Sequence, residues 1–413
     1  MEPLVVRVTL SPGATATALA FILGGIFLGT LSGLVPGLHV NNLALMLAAV
    51  APMIPGPPHL VGAAMLAAGT VHTFLDVIPA LALGVPDPAM APMALPGHKL
   101  VLAGRGREAL RLSALGSGLA VALAIPLAIP VTLAMVVAYP YLMAHVNVVL
   151  LGVAGFLVVT EHSPRGKVGA VVCLLASTML GMATLDQHPE GLLPADDVLV
   201  PLFAGLFGAP LLIDAIDGTG VPEQDDAAVA STPRSITATA ATGTLAGAAV
   251  GYLPAVSSAI ASLVALLAAP DDGPRGFVVA TSGANTANGI FALFALVTFG
   301  TPRTGVLVAL ERAEVPLNLP LFLSTVAIAA AIGAVLVPLV GDRYLRIVGS
   351  ADYTKLSLAI LGLLVVLSFA FAGWLGLATF GIATFIGMIP PHFGTRRVTL
   401  MGVLIGPIIV GTW

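Results

Sequence analysis

Hydrophobic positions in this chain run together instead of alternating with polar ones. No Asp, Glu, Lys or Arg occurs from residue 8 to 75, 112 to 160, 235 to 270, 277 to 302 or 356 to 395. A helix needs about 20 mostly apolar residues to cross a bilayer core, so several runs hold more than one crossing. The pattern predicts an all-α polytopic membrane protein with about 10–12 transmembrane or re-entrant helices. A β-barrel does not fit, because the runs are long and Ala/Leu-rich with no period of two. Gly (46) and Pro (32) interrupt nearly every run. Membrane helices tolerate such breaks where protein or a wet cavity satisfies the freed backbone, which predicts broken helices around an internal site.

The break pattern occurs twice. Gly25, Gly29, Gly33 and Pro36 form G-x3-G-x3-G-x2-P, and Gly243, Gly247, Gly251 and Pro254 form it again 218 residues on. A second echo pairs Gly84-Val85-Pro86 with Gly300-Thr301-Pro302. Glycine every fourth residue gives a helix a smooth face for close packing, and the proline then ends or kinks it. Between the two copies lies the most polar stretch, from Asp214 through Asp226 to Arg234. The expected organisation is a first membrane repeat over 1–213, a polar loop over 214–235 and a second repeat over 236–413. An odd number of spans in each would make the repeats inverted, with like motifs facing each other.

Charge narrows the reading further. Charged residues make up 9% of the chain and net charge is −4, with no basic tract to hold nucleic acid. The one cysteine, Cys173, excludes a disulfide framework or a Cys-based metal site, and none of the histidines shows metal-ligand spacing. Met1 to Val8 holds one cation, Arg7, and the apolar stretch after Pro12 runs on, so no cleaved signal peptide is expected. Lys99, Arg105, Arg107 and Arg111 form the densest cationic loop and are expected in the cytoplasm. Two crossings would return the chain there at Arg165 and Lys167, and one more would lead out to Asp186, Glu190, Asp196 and Asp197.

Polar residues inside the charge-free runs are the candidate site. After the first break come Gly37, His39, Asn41 and Asn42, and after the second Ser257 and Ser258. A helix restarting there offers unpaired N–H groups and a positive dipole end, which suits an anion. Asn285, Thr286 and Asn288 form a second cluster, with the two asparagines three apart on one helix face. His72, Thr73 and Asp76 are the matching group in the first half. A membrane-embedded Asp is a candidate for binding Na+ or carrying a proton. Arg303, beside the second Gly-x-Pro, could counter an anionic substrate. Neither a phosphate loop, H-E-x-x-H nor G-x-S-x-G occurs, so no enzyme and no cofactor is expected.

Gly29-Thr30-Leu31-Ser32-Gly33-Leu34-Val35-Pro36-Gly37-Leu38 resembles the opening signature of the TctA family, the large membrane subunit of tripartite tricarboxylate transporters. Gly84-Val85-Pro86, Gly97, Gly104 and Ala109-Leu110 extend the resemblance, and Thr281 to Arg303 is similar to the shorter archaeal branch. The resemblance implies a multi-pass permease of a prokaryotic plasma membrane that carries a di- or tricarboxylate by symport with Na+ or H+. It also implies partners: a small membrane subunit and an extracytoplasmic solute-binding protein. A carrier for a lipid such as polyprenyl phosphate, with its phosphate on the same helix N-termini, is the alternative.

Overall fold

The computed structural model describes residues 11–36, 40–84, 94–192, 198–216, 221–226, 228–254, 256, 258–268 and 272–411. Gly37, His39 and Ser257 lie outside these residues, as do the side chains of Asn41 and Asn42. The described chain is helical nearly throughout, with seven helices long and apolar enough to cross a membrane and shorter apolar ones beside them.

The first elements are α1 (Pro12–Gly33), α2 (Val40–Val50), α3 (Pro58–Leu75) and α4 (Val77–Leu83). Gly25 and Gly29 of α1 lie on the backbone of Ala64 and Ala68 of α3, and Gly33 lies on His72 and Leu75. Both series rise together, so α1 and α3 are parallel. Parallel neighbours require the chain to come back between them, and α2 with the turn after it makes that return. Gly56 lands against the ring of Phe21, near the start of α1. The first Gly/Pro motif therefore folds as a helical hairpin whose limbs are α1 and α2. Beyond the level of His72 the α3–α4 line runs on for about 16 Å at 1.5 Å per residue, so α1 ends well short of the end of that line.

Next come α5 (Ala94–Leu102), the long α6 (Gly106–Ala144), α7 (Val146–Val159), α8 (Pro164–Thr184), α9 (Leu199–Phe203) and α10 (Ala209–Ala215). A π-helical turn over Ala204–Gly208 joins the last two. α6 would measure about 58 Å, well beyond a core of about 30 Å, so it tilts or projects.

After the polar loop the opening arrangement returns. α11 (Pro233–Gly251) and α12 (Ser258–Ala268) are the limbs of a second hairpin, and α13 (Gly273–Phe299) is its parallel support. Gly243 and Gly247 lie on Ala280 and Ala284, where an added Cβ would come within 2.7 Å of each carbonyl oxygen, and Gly251 lies on Phe291 and Asn288. Then follow α14 (Gly305–Arg312), α15 (Leu319–Ser350), α16 (Tyr353–Gly387), α17 (Ile389–Phe393) and α18 (Gly402–Val410). α16 is not one rod. Gly373 sits at φ 55°, ψ −142°, and Gly376 touches the carbonyl of Ser368. The chain doubles back there, so residues 353–371 and 374–387 are antiparallel limbs.

Ion pairs and hydrogen bonds identify one end of the bundle. Glu108 at the start of α6 pairs with Arg275 at the start of α13 at 2.8 Å. Arg107 pairs with Asp342 near the end of α15, Tyr353 donates to the carbonyl of Ala82 at the end of α4, and Arg397 pairs with Asp214 in the last turn of α10. Lys99, Arg165, Lys167 and Arg396 belong to the same end, with Arg396 held by Glu161. Since α4 ends here and α13 sets out from here, α3 and α13 are antiparallel and the two hairpins enter from opposite ends.

The stretches before and after the polar loop interlock. Gly205 lies on Ala383 and Phe380, and Gly387 on Leu206 and Pro210, which seats α9–α10 on the second limb of α16. Gly181 lies on Val403 and Gly402 on Leu174, which seats α18 on α8. Cys173 is a buried residue of this packing.

Candidate functional site

The site begins at the break between α3 and α4. Pro79 has no N–H to offer the carbonyl of Leu75, so the helix ladder fails there. Asp76 stands at the break, 3% exposed, one turn beyond the fully buried His72. A carboxylate this deep in an apolar bundle requires donors. Asn285 of α13 supplies one, its Nδ2 donating to Asp76 Oδ2 at 3.0 Å. The other side of that amide accepts from Ser258 at 3.0 Å, and Ser258 is the first residue of α12, just past the second hairpin tip.

The first hairpin reaches the same pair of core helices from the other side. Ser32, in the last turn of α1, lies 2.9 Å from His72 Nδ1. Each hairpin is thus hydrogen-bonded next to its tip to a residue of this polar centre, and the Asp76–Asn285 bond crosses between the supports. The arrangement can hold a proton on the carboxylate or imidazole, or offer oxygen atoms to a small cation.

The other candidate residues divide by place. Thr73 is half-buried, with its hydroxyl donating to the carbonyl of Thr70 at 2.8 Å. Thr286 is buried on α13 next to Asn285, and its hydroxyl has no hydrogen-bond partner among the described residues. Asn288 is half-buried, its backbone against Gly247 and Gly251. Pro36 is buried directly after α1 and Pro254 half-buried after α11, as the breaks predict. Arg303 is elsewhere. It follows α13 at the end opposite the basic face, about 22 Å along the helix from Asn285, beside Tyr139 of α6.

Ser32 was not among the candidates, although it stands inside the first glycine motif. Its role depends on where His72 falls on α3, which sequence spacing does not give. Glu108 was missed as well. It is buried between Arg275 (Nε 2.8 Å) and Arg105 (Nε 2.5 Å) and accepts from the backbone of Ala230 at 2.8 Å, which ties α6, α13 and the polar loop together.

The profile of the tripartite tricarboxylate transporter TctA family matches residues 19–402. An uncharacterized protein of Methanocaldococcus jannaschii is similar, 26% identical over 399 residues that cover 95% of this chain and 98% of that protein. No solved structure matches the chain.

Proposed function

The chain belongs to the TctA family of tripartite tricarboxylate transporters, and on that premise we propose that it is a secondary transporter for a small di- or tricarboxylate. The stretches 1–213 and 236–413 act as inverted repeats around the loop 214–235, and the substrate binds between the two hairpin tips near the midplane. The observation that carries this reading is the line Ser258–Asn285–Asp76, with Ser32–His72 beside it. It joins two helical hairpins that enter from opposite ends, at a buried carboxylate. Restarted helices supply the N–H groups for an anion.

Asp76 is the coupling residue in this proposal, with His72 and Thr73 beside it, and Na+ or H+ is the coupling ion. Asn285, Thr286, Asn288 and Ser258 hold the substrate together with the restart residues Pro36, Gly37, His39, Asn41, Asn42, Pro254 and Ser257. The basic end faces the cytoplasm, because cytoplasmic loops carry the excess of Lys and Arg. The membrane is the plasma membrane of a prokaryote. A small membrane subunit and an extracytoplasmic binding protein are the partners that the family suggests.

The test is uptake of labelled citrate by proteoliposomes holding the purified chain, with and without an inward Na+ or proton gradient. Saturable, gradient-dependent uptake supports the proposal. Uptake that ignores both gradients, or that survives substitution of Asp76 and Asn285 unchanged, removes it. One observation favours the lipid-carrier reading as a second line. Leu23, Phe27 and Leu31 leave one face of α1 exposed up to the first hairpin tip, which would give a polyprenyl chain a side route. Binding of a polyprenyl phosphate without uptake of citrate would favour it.

A further inference from the structure

Arginines inside this bundle have acceptors. Arg105 and Arg275 share Glu108, Arg107 and Arg346 share Asp342, Arg396 holds Glu161 and Arg397 holds Asp214. Arg234, Arg312 and Arg343 are exposed. Arg303 departs from both patterns. It is half-buried, yet its partners among the described residues are neutral. One Nη donates to the hydroxyl of Tyr139 and lies 3.6 Å from Met143 Sδ, and the guanidinium carbon stands 5.7 Å from the centre of the Tyr139 ring. Its Nε–H is buried with no acceptor among the described residues. A guanidinium held this way keeps much of its charge uncompensated at a desolvation cost.

The surroundings are built to hold that geometry. The Tyr139 ring stacks on Phe299 at 4.1 Å, and its hydroxyl also lies 3.0 Å from Thr301 Oγ1. The Nε and the Nη bonded to Tyr139 share one edge of the guanidinium, the edge by which arginine grips an oxyanion with two parallel N–H bonds. Tyr139 covers half of that edge with a weak neutral acceptor.

We propose that Arg303 is an oxyanion site at the end of the bundle opposite the basic face, separate from the midplane cluster, and that Tyr139 is displaced from the guanidinium edge when the anion binds. The ligand is a carboxylate or a phosphate. Where it is a carboxylate, the site receives the transported anion before it descends, and that part rests on the transporter reading above.

The test uses the full chain in nanodiscs of zwitterionic lipid, with citrate as probe in calorimetry, and native mass spectrometry of the chain from membranes that contain phosphatidylglycerol. Variants are R303Q, R303K and N285A. The expected result is that R303Q weakens citrate binding by about tenfold or more, equivalent to 1.4 kcal/mol. R303K keeps the charge without the two-donor edge and also weakens it. If N285A leaves citrate affinity intact while R303Q removes it, the outer site stands and the midplane substrate site fails. If citrate affinity is indifferent to R303Q but bound phosphatidylglycerol is lost, the site stands with a lipid phosphate as its ligand. Unchanged citrate affinity and unchanged lipid retention in both R303Q and R303K would overturn the proposal. Should R303Q fail to fold, R303K carries the test.

Discussion

The amide of Asn285 is engaged on both sides, donating to Asp76 and accepting from Ser258, so a change at the carboxylate would be felt at the second hairpin. Protonation of Asp76 would weaken a charge-assisted bond and loosen the Asn285–Ser258 contact next to the tip. Asp76→Asn is expected to lower gradient-driven citrate uptake by about tenfold or more, while the protein elutes normally in size-exclusion chromatography. Wild-type uptake in that variant would sink the coupling role. A second expectation concerns Glu108. Removing the charge at Glu108→Gln leaves Arg105 and Arg275 facing a neutral amide, and breaking such a pair costs about 3 kcal/mol. Asp226→Asn, at an exposed pair with Arg111, is expected to cost about 0.5 kcal/mol. Comparison of chemical-denaturation midpoints decides it. Asp76 was legible in the sequence as the carboxylate that ends the first charge-free run, and Asn285 as a polar residue inside another. Their pairing was not, because it depends on two helices 209 positions apart meeting at one level.

At the scale of elements, each glycine motif acts through the side on which its glycines fall. Gly25 lies on the backbone of Ala64, whereas a Cβ on the adjacent Gly24 would meet open space. Gly25→Ala is therefore expected to destabilise the hairpin and lower the yield of folded protein. Gly24→Ala is expected to be neutral or to stabilise by up to about 1 kcal/mol through helix propensity. Equal melting temperatures for the two variants would refute the close-packing account. The hairpins were half visible in advance. The G-x3-G-x3-G-x2-P spacing announced smooth faces and breaks, but it left open whether the chain continued or turned back. The fold in α16 left no such mark. Residues 356–395 read as one apolar run, and the turn rests on Gly373, whose φ of 55° and ψ of −142° suit glycine almost alone. Nothing in composition separates that glycine from its helical neighbours.

For the whole molecule, the two ends differ in charge, and this gives a direct test of orientation. With Cys173 replaced by Ser, single cysteines at Glu190 or Arg312 are expected to react with an impermeant maleimide in intact cells. Cysteines at Lys167 or Lys355 are expected to react only after permeabilisation. The reverse pattern would invert the proposed topology and place the Arg303 site in the cytoplasm. Membrane class and break positions were readable because they depend on local composition. The interlock was not, since it depends on which helices meet across the polar loop. That interlock has a consequence for how the protein is made. The last helix, α18, packs on α8, and α9–α10 pack on the second limb of α16. When translation has delivered residues up to the polar loop, α8 and α9–α10 still lack the neighbours that cover them. During synthesis the early helices would stay uncovered until α16 and α18 have been made. A chain that stalls or is clipped near Arg397 would leave apolar helices uncovered far upstream, giving membrane quality control a reason to remove it whole.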